Sequence, residues 1–323
     1  MAEGPCPRRG GPRSGPPPRG RFGSGPARAI LILAAAGALG ACGGGGPAPP
    51  APAAGPALRI VSLAPSHTET LFALGAGDAV VGVTRFCDRP PEAKSRPAVG
   101  DAQRVNLEAV AALRPDLVVA NADATVDALA PLRGTVRVLA LPTDTLPDLL
   151  RAVESLGAAV GRRGEARALR DRVVAALADA RRRCAGRPRP RVLVVVQRDP
   201  YFVAGRTSYV AALLDALGCD NAAGDVDSPW PAVSAEALIV RAPDAIVDAS
   251  LGPAGEPSRR DDECERWWAR FPSIPAVRDG RVRALRDEAA LRPGPAVAEA
   301  LRALDDSIAR EPAAAATGVG GGR

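Results

Sequence analysis

NLEAVAALRPDLVVA (residues 106–120) is answered 128 positions later by SAEALIVRAPDAIV (residues 234–247). Each segment opens on a good helix N-cap residue, Asn106 or Ser234, and carries a glutamate two residues on, Glu108 or Glu236. Nine residues after the cap comes a proline, Pro115 or Pro243, then an aspartate, Asp116 or Asp244, then an apolar run. The cap starts a helix, and the proline ends it and turns the chain into a buried strand. Agreement at cap, acid, proline, aspartate and apolar run marks two related structural units.

Outward from these segments the same grammar continues. Residues 59–63 (RIVSL) predict a short buried strand. Ser66 with Glu69 three residues on makes a capping-box pattern for a helix over 68–74, stopped by Gly75. Strands are expected at 80–83, 117–120 and 136–141. In the second half, strands are expected at 191–196, 245–247 and 281–285, with helices over 208–217 and 234–240. Strands alternating with helices imply α/β units and parallel sheets. Between the halves, EARALRDRVVAALADARRRCA (residues 165–185) contains no Gly or Pro, and its apolar residues at 166, 169, 173, 177 and 180 form a helical stripe. Such a segment makes a rod of roughly 31 Å. The expected fold is therefore α/β, with two related lobes built on parallel sheets, joined by one long rigid helix, and a ligand cleft between them. The expected divisions are a first lobe over 58–160, the connecting helix over 161–187 and a second lobe over 188–310.

The 323 residues are 46% hydrophobic, enough for sizeable cores. The net charge of +6 does not mark a nucleic-acid binder, because six arginines (8, 9, 13, 19, 21 and 28) lie in the first 41 residues beside one acid, Glu3. The remainder holds 36 basic and 35 acidic residues, and phosphate binding needs a cluster of basic residues on the folded part. The basic leader is followed by the apolar run AILILAAAGALGA (residues 29–41). Thirteen residues are too few to span a bilayer, which takes about 20, and suit a signal peptide. Residues 1–41 are therefore read as an export signal, residues 42–57 as a flexible Gly/Pro/Ala tether, and residues 311–323 as a disordered tail.

Catalysis finds little support. A Ser or Cys nucleophile needs a base, and His67 is the only histidine. No GxxxxGK phosphate loop is present. A zinc or manganese receptor needs three or four His, Asp, Glu or Cys ligands, which one histidine makes difficult. Cys87, Cys184, Cys219 and Cys264 are not spaced as a metal clip or redox pair, and an exported chain could join them in one or two disulfides whose pairing stays open.

Four segments, SLAPSHTETLFALG (residues 62–75), VGVTRFCDRPPEA (residues 81–93), NLEAVAALRPDLVVA (residues 106–120) and SPWPAVSAEALIVRAPDAIV (residues 228–247), resemble the cobalamin- and iron-chelate-binding proteins of bacterial ABC importers. These are the helical-backbone, class III periplasmic binding proteins, and the cobalamin-binding members fit best. The resemblance implies a non-enzymatic, monomeric receptor, with no cofactor of its own, that delivers a corrinoid to a permease and ATPase. A ferric siderophore or haem is the alternative cargo and a free metal ion the second alternative. Leu39-Gly40-Ala41-Cys42 resembles a lipobox, which implies lipidation at Cys42 and a membrane anchor outside the cytoplasm. Glu108 and Glu236 occupy the motif positions at which the family docks onto arginines of its transporter. Two anionic posts in related positions can orient a protein on a basic two-fold partner, although acids also favour first helical turns because of the dipole.

For the ligand, the resemblance points to Phe86, where the cobalamin-binding relatives place an aromatic, and to Asp287 and Arg292, near their late polar contacts. A tyrosine at 86 would favour haem, since a phenolate can ligate iron. Trp230 falls in a loop facing the expected cleft, where an indole can either stack on a flat macrocycle or pack the two lobes together. Ala102 and Asn121 stand where the cobalamin-binding pattern has tryptophans. His67 at the start of the first helix is read either as a contact to a metal-centred ligand or as a solvent-facing loop residue.

Overall fold

The computed structural model describes residues 58–101, 104–250, 257–285, 287 and 291–309, which all fall in one compact unit. The strand runs expected from the sequence fold as two sheets. The first carries β1 (Ile60–Ser62), β2 (Val80–Val83), β3 (Leu117–Asn121) and β4 (Arg137–Leu141), in the order β2-β1-β3-β4 and parallel throughout. Its crossovers carry α1 (Pro65–Ala73), α2 (Leu107–Ala112) and α3 (Ala124–Ala128), and α4 (Leu146–Ala159) follows β4.

After α5 (Arg163–Cys184) come β5 (Arg191–Arg198), β6 (Tyr201–Val203), α6 (Tyr209–Ala216), β7 (Asp220–Asn221), β8 (Ala232–Val233), α7 (Ala235–Arg241) and β9 (Ala245–Asp248). The chain continues through α8 (Pro257–Trp268), α9 (Pro275–Arg278), β10 (Val282–Ala284) and α10 (Val297–Ala309). The second sheet runs β10-β9-β5-β6-β8, with β7 also on β5. It is mixed rather than parallel, because β6 and β8 run antiparallel to their neighbours. The cause is local: only Asp199 and Pro200 join β5 to β6, and so short a connection can only reverse the chain.

The sequence repeat becomes a structural one. Asn106 and Ser234 cap α2 and α7 by accepting from Ala109 N at 3.0 Å and Ala237 N at 3.2 Å. Before each proline the chain takes a left-handed turn, at Arg114 (φ 45°) and Ala242 (φ 44°). The next residues, Asp116 and Asp244, each accept through Oδ2 at 2.8 Å from the backbone N–H that opens the central strand, that of Arg59 and of Arg191. The aspartate of the motif thus ties each Pro-Asp corner to the neighbouring strand.

One expectation shifts. α1 starts at Pro65, with Ala64 as N-cap and no side-chain cap, so Ser66 lies inside the first turn. Proline's fixed φ suits the first helical position and starts the helix before Ser66 can cap it. Glu69 consequently faces inward, at 7% exposure.

α5 buries Ala166, Leu169, Val173, Leu177, Ala180 and Cys184, contributing about 1.5–3 kcal/mol for each large aliphatic side chain. It packs on α4 of the first lobe and on α6 and α10 of the second. A side chain at Gly157 would put its Cβ 2.3 Å from that of Ala166, so α4 and α5 approach this closely only through a glycine. One apolar cluster runs from Ile60 and Val119 through Leu169 and Leu177 to Val192 and Val194, and fixes both sheets to one helix.

Candidate ligand cleft

In parallel sheets, ligands bind outside the carboxyl ends of the strands. The loops there meet along a seam between the lobes. Trp230 lies in the loop that leads into β8. That loop is pinned: Val203 N donates to Pro231 O at 3.2 Å, Gly205 N to Pro229 O at 3.0 Å and Arg206 N to Val226 O at 3.0 Å. A Cβ at Gly205 would fall 2.1 Å from the Ser228 carbonyl oxygen, so the close approach requires glycine. From this platform the half-buried Trp230 donates Nε1–H to Asp144 Oδ1 at 2.8 Å, just beyond β4 of the other lobe. Tyr209 N donates to the Asp144 carbonyl oxygen at 2.6 Å.

Asp287 and Arg292 cross the same seam. Arg89 Nη2 donates to Asp287 Oδ2 at 2.5 Å. Arg292 Nη1 pairs with Asp88 Oδ1 and lies 3.6 Å from Glu69 Oε1. Three of the five residues expected to touch a ligand are therefore engaged by the opposite lobe. Their partners across the seam are Glu69, Asp88, Arg89 and Asp144, of which only Glu69 stands out in the sequence, and that as a capping residue. Asp88 and Arg89 stand just before Pro90 in the segment VGVTRFCDRPPEA, and this charged pair was their one visible signal.

The charges in this cluster are unequal. Burial pushes the Glu69 carboxyl from 4.5 up to about 7, against the attraction of Arg292 and Arg89. Burial also works to raise Asp88, but the hydrogen bond and charge of Arg292 outweigh it and hold Asp88 below the usual carboxylate range. A cavity of 1020 Å³ opens beside the cluster, lined by Glu69, Asp88, Arg89, Phe72, Pro295 and Glu299 among others. None of Phe86, Trp230, His67, Asp287 or Arg292 lines it.

Phe86 is 47% exposed in the loop after β2, with the Arg85 guanidinium 4.8 Å from its ring centre. His67 is not solvent-facing. It is 1% exposed, and its Nε2 lies 3.2 Å from the Leu141 carbonyl oxygen. Burial lowers its pKa to about 4, so the ring is neutral and ties α1 to the end of β4. The early start of α1 at Pro65 brings it there. Asn121, at the end of β3, keeps a buried Oδ1 without a hydrogen-bond partner. Cys42, Ala102, the leader, the tether and the tail lie outside the described residues. Among the described residues no helix is long and apolar enough to cross a membrane.

Glu108 and Glu236 are both exposed in the first turns of α2 and α7. The backbone N–H of Glu236 itself, then the Ser234 hydroxyl, hold that carboxyl below the usual range, so it is charged at neutral pH.

The periplasmic binding protein family model matches residues 60–289. A vitamin B12-binding protein of Salmonella typhimurium is 32% identical over 225 residues, covering 68% of this chain and 81% of the relative. An uncharacterised ABC transporter substrate-binding lipoprotein of Bacillus subtilis is 32% identical over 259 residues, covering 77% and 79%. Among solved structures, a periplasmic haem-binding protein from Roseiflexus superposes with a TM-score of 0.66 at 30% identity, covering 78% of this chain and 98% of that one.

Proposed function

The chain belongs to the periplasmic binding protein family, and from that premise we propose that it captures cobalamin or a related corrinoid between its lobes and delivers it to an ABC importer. It is an extracytoplasmic substrate-binding protein and not an enzyme. The observation that carries the ligand reading is the seam, where Trp230, Asp287 and Arg292 converge from the second lobe on residues of the first. The corrinoid class is supported by the vitamin B12-binding relative. A corrinoid brings a broad face for Trp230 and Phe86. A ferric siderophore or haem is the second reading, favoured by the haem-binding structural neighbour. Against haem stand Phe86 in place of a phenolate, and the burial of the His67 ring against Leu141. Among the described residues no group of three or more His, Cys, Asp or Glu side chains is placed to hold a free metal ion.

In this reading Glu108 and Glu236 dock a monomeric receptor onto the permease, whose ATPase powers release, and Cys42 carries the lipid that keeps it at the membrane. The lipoprotein description of the Bacillus relative supports the anchor. The test is a titration of the purified chain with cyanocobalamin, cobinamide, a ferric hydroxamate and haemin, read by tryptophan fluorescence with absorption corrected. Saturable one-to-one binding of the corrinoids, with a response lost in Trp230→Phe, is expected. Binding of haemin or the hydroxamate alone would transfer the chain to the second reading. Reversing both Glu108 and Glu236 to arginine should abolish uptake in cells while leaving that titration unchanged, and retained uptake would overturn the docking role.

A further inference from the structure

Four cysteines lie among the described residues, and two of them share a corner of the second lobe. Cys184 is the last residue of α5, and Cys219 follows Gly218 in the turn from α6 to β7. Both are 4% exposed and belong to the same apolar cluster. A Cβ placed on Gly218 would lie 3.6 Å from the Cβ of Cys184 and 3.6 Å from its carbonyl oxygen, in ordinary van der Waals contact, so the chain at Gly218 runs beside Cys184. Cys219 is the next residue, one Cα step of about 3.8 Å away. Ion pairs brace the corner on both sides, Arg181 with Asp215 at 3.0 Å and Arg189 with Asp220 at 2.9 Å. The other two thiols are held elsewhere. Cys87 takes a hydrogen bond from Thr68 at 3.1 Å and lies 3.2 Å from Thr84 Oγ1, while Cys264 accepts from Arg198 at 3.3 Å.

We propose that Cys184 and Cys219 form a disulfide in the exported protein, which locks the end of the connecting helix to the second lobe. A family that works outside the cytoplasm meets an oxidising compartment, where such bonds form and persist. With glutathione disulfide as oxidant, one cysteine thiolate attacks it and releases one glutathione. The second cysteine thiolate then attacks the mixed disulfide and releases the other. The protein gives up two protons and two electrons, and the glutathione disulfide takes them up. The bond forms as the chain folds, before the cluster closes over the thiols.

The test refolds the full reduced chain with glutathione disulfide, alkylates remaining thiols with iodoacetamide in denaturant, and maps tryptic peptides without reductant. The expected product joins peptide 184–191 to peptide 207–241, with Cys87 and Cys264 alkylated. The oxidised chain should melt about 5–10 °C above the reduced one, and the Cys184→Ser variant should show no response to reductant. Recovery of Cys184 and Cys219 as alkylated thiols, or of either joined to another cysteine, would overturn the proposal. So would a reductant-dependent melting shift that survives in Cys184→Ser.

Discussion

Replacing Glu69 with glutamine tests the electrostatics of the seam. The Glu69 carboxyl is 7% exposed, its Oε1 has no hydrogen-bond partner, and its nearest cation, Arg292, is 3.6 Å away. Burial lifts it to about 7 from an ordinary 4.5; Arg292 and Arg89 oppose the rise, and Asp88 adds to it. Between these two pH values the folded chain holds a proton that the unfolded chain has released. Stability therefore falls as pH rises through that window. At about 1.4 kcal/mol for each pH unit, the effect amounts to about 3 kcal/mol. Glutamine does not titrate, so the stability of Glu69→Gln relative to the native chain should rise by about 3 kcal/mol from pH 4 to pH 8. His67, two residues away, has the opposite slope. Burial lowers its pKa from 6.5 to about 4, so the unfolded chain binds its proton first and stability is lost as pH falls through that range. In the native chain the two slopes oppose each other between about pH 4.5 and 6.5, and the variant should lose the Glu69 slope while keeping that of His67. Urea unfolding followed by far-ultraviolet circular dichroism at pH steps from 4 to 8 reads both. A stability gap that stays constant to within about 1 kcal/mol would refute the placement of Glu69 as a buried, poorly compensated acid.

Gly205→Ala should cost about 1–3 kcal/mol, because the new Cβ meets the Ser228 carbonyl at 2.1 Å, and should weaken corrinoid binding about tenfold by moving the Trp230 loop; unchanged melting and affinity would remove that loop from the site. Asp116→Ala and Asp244→Ala should each cost about 1 kcal/mol in urea unfolding, since each deletes a 2.8 Å bond to a strand-opening N–H. If only one of them destabilises, the repeat is not equivalent in energy. Ala242→Gly should stabilise the fold by about 1 kcal/mol, as the left-handed φ of 44° is free of strain for glycine. A loss in chemical denaturation would show that the Ala242 methyl packs usefully.

What was legible in the sequence was local. Asn106 and Ser234 cap within three residues, Pro115 and Pro243 stop the helices they follow, and α5 announces itself by an uninterrupted apolar stripe. Two features fooled local reading. Pro65 starts α1 before Ser66 can cap it, which carries Glu69 and His67 inward, and the two-residue link from β5 to β6 makes the second sheet mixed. The cleft contacts were out of reach for a different reason. Asp88 and Arg292 are 204 residues apart, Arg89 and Asp287 198, and Asp144 and Trp230 86. Pairings at such separation leave no periodicity to read.

The repeat also divides the two jobs proposed for the chain. A surface that meets a two-fold partner should be duplicated, and Glu108 and Glu236 are duplicated down to the cap two residues before each. A cleft that recognises an asymmetric ligand should break the repeat, and it does so four residues before each cap, where the second unit has Trp230 and the first has Ala102. The indole reaches across to Asp144 from one side only. Selectivity should therefore follow substitutions at Trp230 and along the seam, while delivery follows the paired glutamates. A chimaera that changed cargo without changing its transporter would need to alter only the unrepeated positions.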